Sequence, residues 1–196
     1  MEFAEVIRRR RMVRNFEDRP LAASVVEGLL SCARRGPSAG FTQGVELLVL
    51  EGREQTGRYW DVSLPEAQRP GFPWPGLLHA PLLILPFADK EAYLDRYAEP
   101  DKGWTDRDES RWSAPYWIVD TAFAAMLILL AAVDAGLGAL FFGVFHPDAV
   151  RHEFGVPSRL QPIGAIAVGY PAPDEPSPSL TRGRRPVADV VHRGGW

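Results

Sequence analysis

Arg8, Arg9, Arg10 and Arg11 stand in an unbroken run, with Arg14 three residues on, and no other part of the chain concentrates one chemistry so densely. A second group, Arg182, Arg184 and Arg185, stands near the opposite end. Guanidinium forks make paired, charge-assisted hydrogen bonds, so clustered arginines beside a helix end suit a dianionic phosphate. A solvated basic helix end would give the same pattern, and so would a nucleic-acid patch. The whole chain argues against the latter: 22 Lys+Arg against 25 Asp+Glu leave a formal net charge of -3, whereas nucleic-acid binders are normally basic.

Other chemistries are poorly served. His79, His146, His152 and His192 lack the close helical pairing of a zinc helix, and Cys32 has no second thiol. There is no Gly-x-Ser-x-Gly elbow, no Walker loop and no Gly-x-Gly-x-x-Gly after a strand. An enzyme with this inventory needs a bound cofactor to carry the reaction. A lone cysteine forms no internal disulfide, which fits a reducing, cytoplasmic setting. The charged N-terminus has no apolar signal segment behind it. The longest apolar stretch, Ala122 to Val133, is short of the ~20 residues of a membrane span, so no membrane is expected.

These groups need a scaffold, and 196 residues allow one domain, 1–196. With 46% hydrophobic and 24% charged residues the composition is that of a globular protein. Phe3, Val6 and Ile7 predict a short helix ending in the arginine run. Ser24 and Glu27 have capping-box spacing, and Val26, Leu29, Leu30 and Ala33 give a helical stripe that stops near Gly36-Pro37. Val45 to Leu50 and Leu82 to Phe87 read as strands. Glu51 to Trp60 reads as a helix and the proline-rich stretch from Pro65 to Pro75 as a loop. Residues 88–115 are charged and aromatic, with one helix around Glu91 to Tyr97.

Tyr116 to Ala135 predicts a long helix, apolar nearly all round, which must be covered on every side. A domain of this size rarely does that alone, so a partner subunit is expected. Gly136 and Gly138 end the helix. Ala139 to Phe145 and Ile163 to Gly169 follow as strands, separated by a helix from Pro147 to Phe154. Pro171, Pro173, Pro176 and Pro178 mark an extended connector. The mixed order predicts an α+β fold, a single mixed or antiparallel sheet flanked by helices.

Four blocks of this sequence resemble the nitroreductase family. Arg10-Arg11-Met12-Val13-Arg14-Asn15-Phe16 is similar to the family's entry motif Arg-Arg-Ser-Val-Arg-x-Phe, with Met12 where serine is common. Pro37-Ser38-Ala39-Gly40-Phe41-Thr42-Gln43-Gly44 resembles its Pro-Ser-Ser-x-Asn-x-Gln-Pro loop, with Phe41 replacing asparagine and Gly44 proline. Ala135 to Gly143 resembles a Gly-Leu-Gly turn leading to backbone that approaches flavin N5. Arg182-Gly183-Arg184-Arg185-Pro186 resembles the basic tail motif. The family's flavin-binding asparagine should fall near Phe72 or Pro73, where there is none.

The resemblance implies an intertwined homodimer holding FMN in clefts at its interface. NAD(P)H would reduce the flavin, and a small planar acceptor, a nitroaromatic or quinone, would reoxidise it. It implies that Arg10, Arg11, Arg182 and Arg184 neutralise the phosphate, with Arg14 near the pyrimidine end of the ring. Met12, Phe142 and Gly143 contribute backbone contacts, and Pro37, Ser38, Ala39, Gly40 and Gln43 close the site from the other subunit. Dehydrogenation of a biosynthetic intermediate, dehalogenation, or flavin storage and sensing are alternatives on the same scaffold. Residues 88–115 are the expected lid or substrate segment, where Tyr97, Trp104 and Trp112 either stack on an acceptor or simply pack.

Overall fold

The run Leu82 to Phe87 has no polar side chain to turn towards water. In the computed structural model, which describes residues 1–196, it becomes the central strand. This strand, β2 (Leu82–Asp89), is buried along its whole length. It pairs antiparallel with β1 (Val45–Glu51) on one edge. On its other edge Leu82 to Ile84 pair with β5 (Ala165–Gly169), and Phe87 to Asp89 pair with β4 (Leu160–Pro162). Pro86, with no N–H to lend a ladder, falls in the gap between those two partners. β3 (Gly138–Phe142) completes the order β1-β2-β5-β3. Every ladder is antiparallel, and the one parallel contact is an isolated bridge between Met12 and Ala139.

Side chains alternate across a strand, so the sheet feeds two cores. Leu83, Leu85 and Phe87 join Ala165 and Ala167 beneath α3 (Gly52–Ser63) and α6 (Pro147–Glu153). Leu82, Ile84, Ile166 and Val168 lie on the opposite face beneath α2 (Ala23–Ala33) and α5 (Tyr116–Asp134). α1 (Phe3–Arg9) packs against α5, and α4 (Lys90–Ala98) follows β2 directly. The result is the expected α+β sandwich.

α5 ends in a Schellman turn. Gly136, at φ +74°, lets the Leu137 N–H reach the Ala132 carbonyl at 2.8 Å and its own N–H reach Val133 at 3.0 Å. One face of α5, including Ala124, Ala125, Ile128 and Ala132, is buried on the sheet. The opposite face is apolar too, and Phe123 and Met126 remain 45% and 46% exposed. This chain therefore covers only one side of a helix expected to be covered on all. By length and composition α5 would suffice to cross a membrane, more than the shorter run Ala122 to Val133 suggests, but half of that stretch is buried inside the protein.

Several boundaries differ from expectation. α2 starts at Ala23 with Ala22 as its N-cap, so Ser24 lies inside the helix and no capping box forms. α3 starts one residue later and runs to Ser63, because Glu51 ends β1 and Gly52 turns the chain at φ +74°. The proline-rich stretch contains 3-10 turns at Glu66–Gly71 and Pro75–His79. β3 stops at Phe142, where its partner β5 runs out at Ala165. β4 is too short and too polar to show a strand pattern.

Candidate cofactor-binding site

The segment after α1 lies along β3. The Val13 N–H donates to the Ala139 carbonyl at 3.0 Å, and Gly138 has to be glycine because a Cβ there would come within 2.9 Å of Val13. Since Met12 and Ala139 bridge in parallel, the two segments run in one direction, and Arg14 and Gly143 leave them at the same end. Beyond that point residues 14–17 are laced to 170–174. The Glu17 N–H donates to Tyr170 at 2.9 Å, the Ala172 N–H to Asn15 at 3.0 Å, and the Asn15 amide to the Pro173 carbonyl at 2.6 Å. The Arg14 N–H donates to the Asp174 carboxylate at 2.8 Å.

Within this frame the arginines divide. Arg8 and Arg9 pair with Glu5, at 3.9 and 2.5 Å, and Arg11 lies 3.8 Å from Asp174. Arg10 has no carboxylate partner, and its Nη1 is buried without any hydrogen bond. A buried donor left unpaired costs about 1–3 kcal/mol, a cost an anion would remove. Arg14 also lacks a carboxylate on its guanidinium, which lies 5.4 Å from the centre of the Trp74 ring. Arg14 and Trp74 flank a cavity of about 640 Å³ between residues 73–79 and 173–178.

At the end of β3, Phe142 stacks on Trp60 at 5.8 Å and 12°, and its other neighbour is Phe145 at 6.2 Å. A Cβ at Gly143 would meet nothing within 4 Å, so the backbone there faces open space that a flat group could approach. Phe72, near the place where the resemblance puts the family's asparagine, sits edge-on to Trp74 and Phe145, at 5.9 and 6.4 Å. An aromatic wall thus joins Gly143 to Arg14. The uncompensated Arg10, the open Gly143 backbone and the free charge of Arg14 fit a flat, phosphate-bearing cofactor. No cluster of His, Cys, Asp and Glu fits a metal.

The loop of residues 37–44 is built separately. Ser38 Oγ accepts from the Gln43 N–H at 2.8 Å, and Gly40, Phe41 and Gln43 all adopt left-handed backbone, at φ +61°, +54° and +57°. For a bulky residue such as Phe41 this is an outlier that the surroundings must enforce. They do so through the Ala39 N–H on Asp120 (2.7 Å), Arg96 on the Gly40 carbonyl (2.9 Å) and the Asp89 N–H on Gly44 (3.0 Å). Asp120 is buried in α5 and also accepts from the Tyr93 hydroxyl at 2.7 Å. Burial, with the Asp120 charge beside it, pushes the Tyr93 phenol up, against a lowering contact from Ser38.

Tyr97, Trp104 and Trp112 pack on one another, with ring centres 4.3 to 5.4 Å apart. The Tyr97 ring also lies against Gly40, where a Cβ would come within 2.8 Å. All three brace the back of the loop, and each keeps some exposed surface. No hydrogen bond or ion pair joins residues 37–44 to Arg10 or Arg14 within the chain. Arg182 and Arg184 are exposed, as is every residue from Pro178 to Trp196. Asp120, Asp174 and Trp74 were not anticipated; no local motif marks them, since each acts on residues far along the chain.

Comparison with known proteins places this architecture. The profile of the nitroreductase family matches residues 7–170. A Methanothermobacter thermautotrophicus protein carrying an NADH dehydrogenase/NAD(P)H nitroreductase name is 28% identical over 177 residues, covering 88% of this chain and 78% of that protein. A nitroreductase family protein from Clostridium difficile 630 superposes with a TM-score of 0.73 at 25% identity, over 100% of both chains. A nitroreductase-named chain from Desulfovibrio desulfuricans, solved in complex with FMN, has the same fold at a TM-score of 0.73 and 21% identity, covering 100% of this chain and 98% of that one.

Proposed function

Because the chain belongs to the nitroreductase family, we propose that it is an FMN-dependent oxidoreductase, homodimeric, that takes reducing equivalents from NAD(P)H and passes them to a small planar acceptor such as a nitroaromatic or quinone. The observation that carries this reading is the buried, unpartnered Nη1 of Arg10 in a run whose other three arginines, Arg8, Arg9 and Arg11, each face a carboxylate. Bound FMN supplies a hydride-transferring N5 centre that no side chain of this protein could replace.

In this reading the residues bind, orient and exclude water. Arg10 holds the phosphate, with Arg11 beside it and Arg182 and Arg184 closing over it from the tail. Arg14 brings a preorganised positive charge to the pyrimidine end of the ring, where charge builds on reduction. Met12, Phe142 and Gly143 offer backbone, and the open position at Gly143 leaves room for the ring edge. Pro37, Ser38, Ala39, Gly40 and Gln43 of a second copy exclude water from the other side. Two features support a second copy: the open apolar face of α5, and the exposed Leu180, Val187, Val190 and Val191 of the tail.

A visible absorbance spectrum of the purified protein, before and after NADPH or NADH under argon, tests the proposal. A flavin band that either nicotinamide bleaches and a quinone restores is the expected result. A colourless protein that rejects added FMN, or a flavin that neither nicotinamide reduces, overturns it.

A further inference from the structure

We propose that Trp74 is a positioning residue for Arg14: its indole holds the guanidinium at the cofactor without neutralising it. The inference rests on the FMN reading above and assigns a residue which that reading does not use.

Ten of this protein's arginines are steadied by a carboxylate, among them Arg11 by Asp174 and Arg96 by Asp101. A carboxylate also cancels the charge it steadies. Arg14 is steadied instead by an aromatic face, 5.4 Å from its Cζ, an attraction that leaves the full positive charge available. Asp174 is otherwise engaged: its Oδ2 takes the Arg14 backbone N–H at 2.8 Å and faces Arg11 at 3.8 Å. Glu175 and His79 line the same cavity, and neither is bonded to Arg14.

Trp74 is itself fixed. It lies between Pro73 and Pro75, whose rings restrict the backbone on either side. Its carbonyl accepts the Leu77 N–H at 3.0 Å, and its ring meets the edge of Phe72 at 5.9 Å and 89°. Yet 42% of it is exposed, on the side of the 640 Å³ cavity. A large aromatic residue held that rigidly at an open cleft is poorly explained by core packing. The charged group its ring meets is Arg14.

The test is a redox titration of the FMN-loaded protein with dithionite and a reference dye, alongside FMN affinity by fluorescence quenching. An exposed cation–π contact corresponds to roughly a two- to five-fold effect. Trp74→Leu should lower the reduced-to-oxidised ratio at a fixed potential by that factor, and Trp74→Phe should keep most of it. In an Arg14→Ala background Trp74→Leu should change nothing further. An unchanged ratio in Trp74→Leu, or an equal shift with and without Arg14, overturns the proposal. Because dithionite needs no nicotinamide, wild-type flavin that NAD(P)H fails to reduce would sink the proposed function while leaving this result readable. A chain that takes up no FMN overturns both. Should Trp74→Leu fold poorly by circular dichroism, Trp74→Met in the two Arg14 backgrounds gives the same comparison.

Discussion

Tyr93 donates its phenolic hydrogen to Asp120 across 2.7 Å of protein interior, and the same carboxylate oxygen receives the N–H of Ala39 at 2.7 Å. One buried atom therefore ties α4, α5 and the left-handed loop together. Asp120→Ala leaves both donors unpaired and should cost about 3 kcal/mol in urea unfolding. Asp120→Asn keeps an oxygen and should cost about half as much. A variant of either kind as stable as wild type would show that the loop is held by its other contacts alone.

The division of the arginines predicts a division of effects. Arg10→Ala should weaken FMN binding about 10- to 100-fold, since a charge-assisted hydrogen bond contributes about 1.5–3 kcal/mol. Its melting temperature should not fall, because the apo-protein gains nothing from an unpaired Nη1. Arg184→Ala should weaken binding similarly, also with the fold intact. Arg11→Ala should do less, its charge being shared with Asp174. Fluorescence quenching of added FMN measures all three, and equal affinities across wild type and variants would remove these residues from the site.

Gly143 separates fold from site. A Cβ there meets no atom of the chain, so Gly143→Ala and Gly143→Val should both unfold at the wild-type temperature. The branched side chain would nonetheless occupy the space through which the cofactor ring must approach. Loss of FMN from Gly143→Val, with unaltered circular dichroism, is the expected pattern. Retention of flavin at wild-type affinity would place the ring elsewhere.

Alkaline stability should report on Tyr59. Burial pushes its phenol up from 10.0 to about 12, against a lowering contact with Ser63. The folded pKa lies above the unfolded one, so this contribution is complete below about pH 10 and is lost as pH climbs towards 12. At 1.36 kcal/mol per unit, up to about 2–3 kcal/mol is at stake. Urea melts at pH 9 and 11.5 should show the decline, and Tyr59→Phe should flatten it. An equally steep decline in Tyr59→Phe would assign the effect to other groups, Tyr93 among them.

Much of the fold was legible because burial leaves a mark in local pattern. β2 and β5 are nearly pure apolar runs, and α5 is bounded by Pro115 and Gly136. β4 was not legible, because three residues, one of them proline, carry no period. Ser24 and Glu27 had the right spacing for a cap, but Ala22 already begins the helix, so the spacing meant nothing. At the site, the pairing of Arg9 with Glu5 follows from their i,i+4 placement on a helix. The pairing of Arg11 with Asp174, the stacking of Arg14 on Trp74 and the burial of Asp120 beneath Ala39 do not. Each joins residues far apart in the chain, and only the folded sheet brings them together. Tyr97, Trp104 and Trp112 show the converse: composition left stacking on an acceptor and packing open, and only the fold shows that their rings lie against one another.

The lacing of residues 14–17 to 170–174 has a further consequence. Asp174 is where the arginine segment and the departing tail are joined, through the Arg14 N–H and the Arg11 side chain. The direction in which the tail sets out is thus fixed at the same few residues that would meet the cofactor. A ligand that shifts the Arg14 backbone would load the Asp174 contact where the tail departs, and a surface that captures the tail would load it from the other side. Coupling of that kind is reciprocal by necessity. Occupancy of the cleft and seating of the tail would then each bias the other.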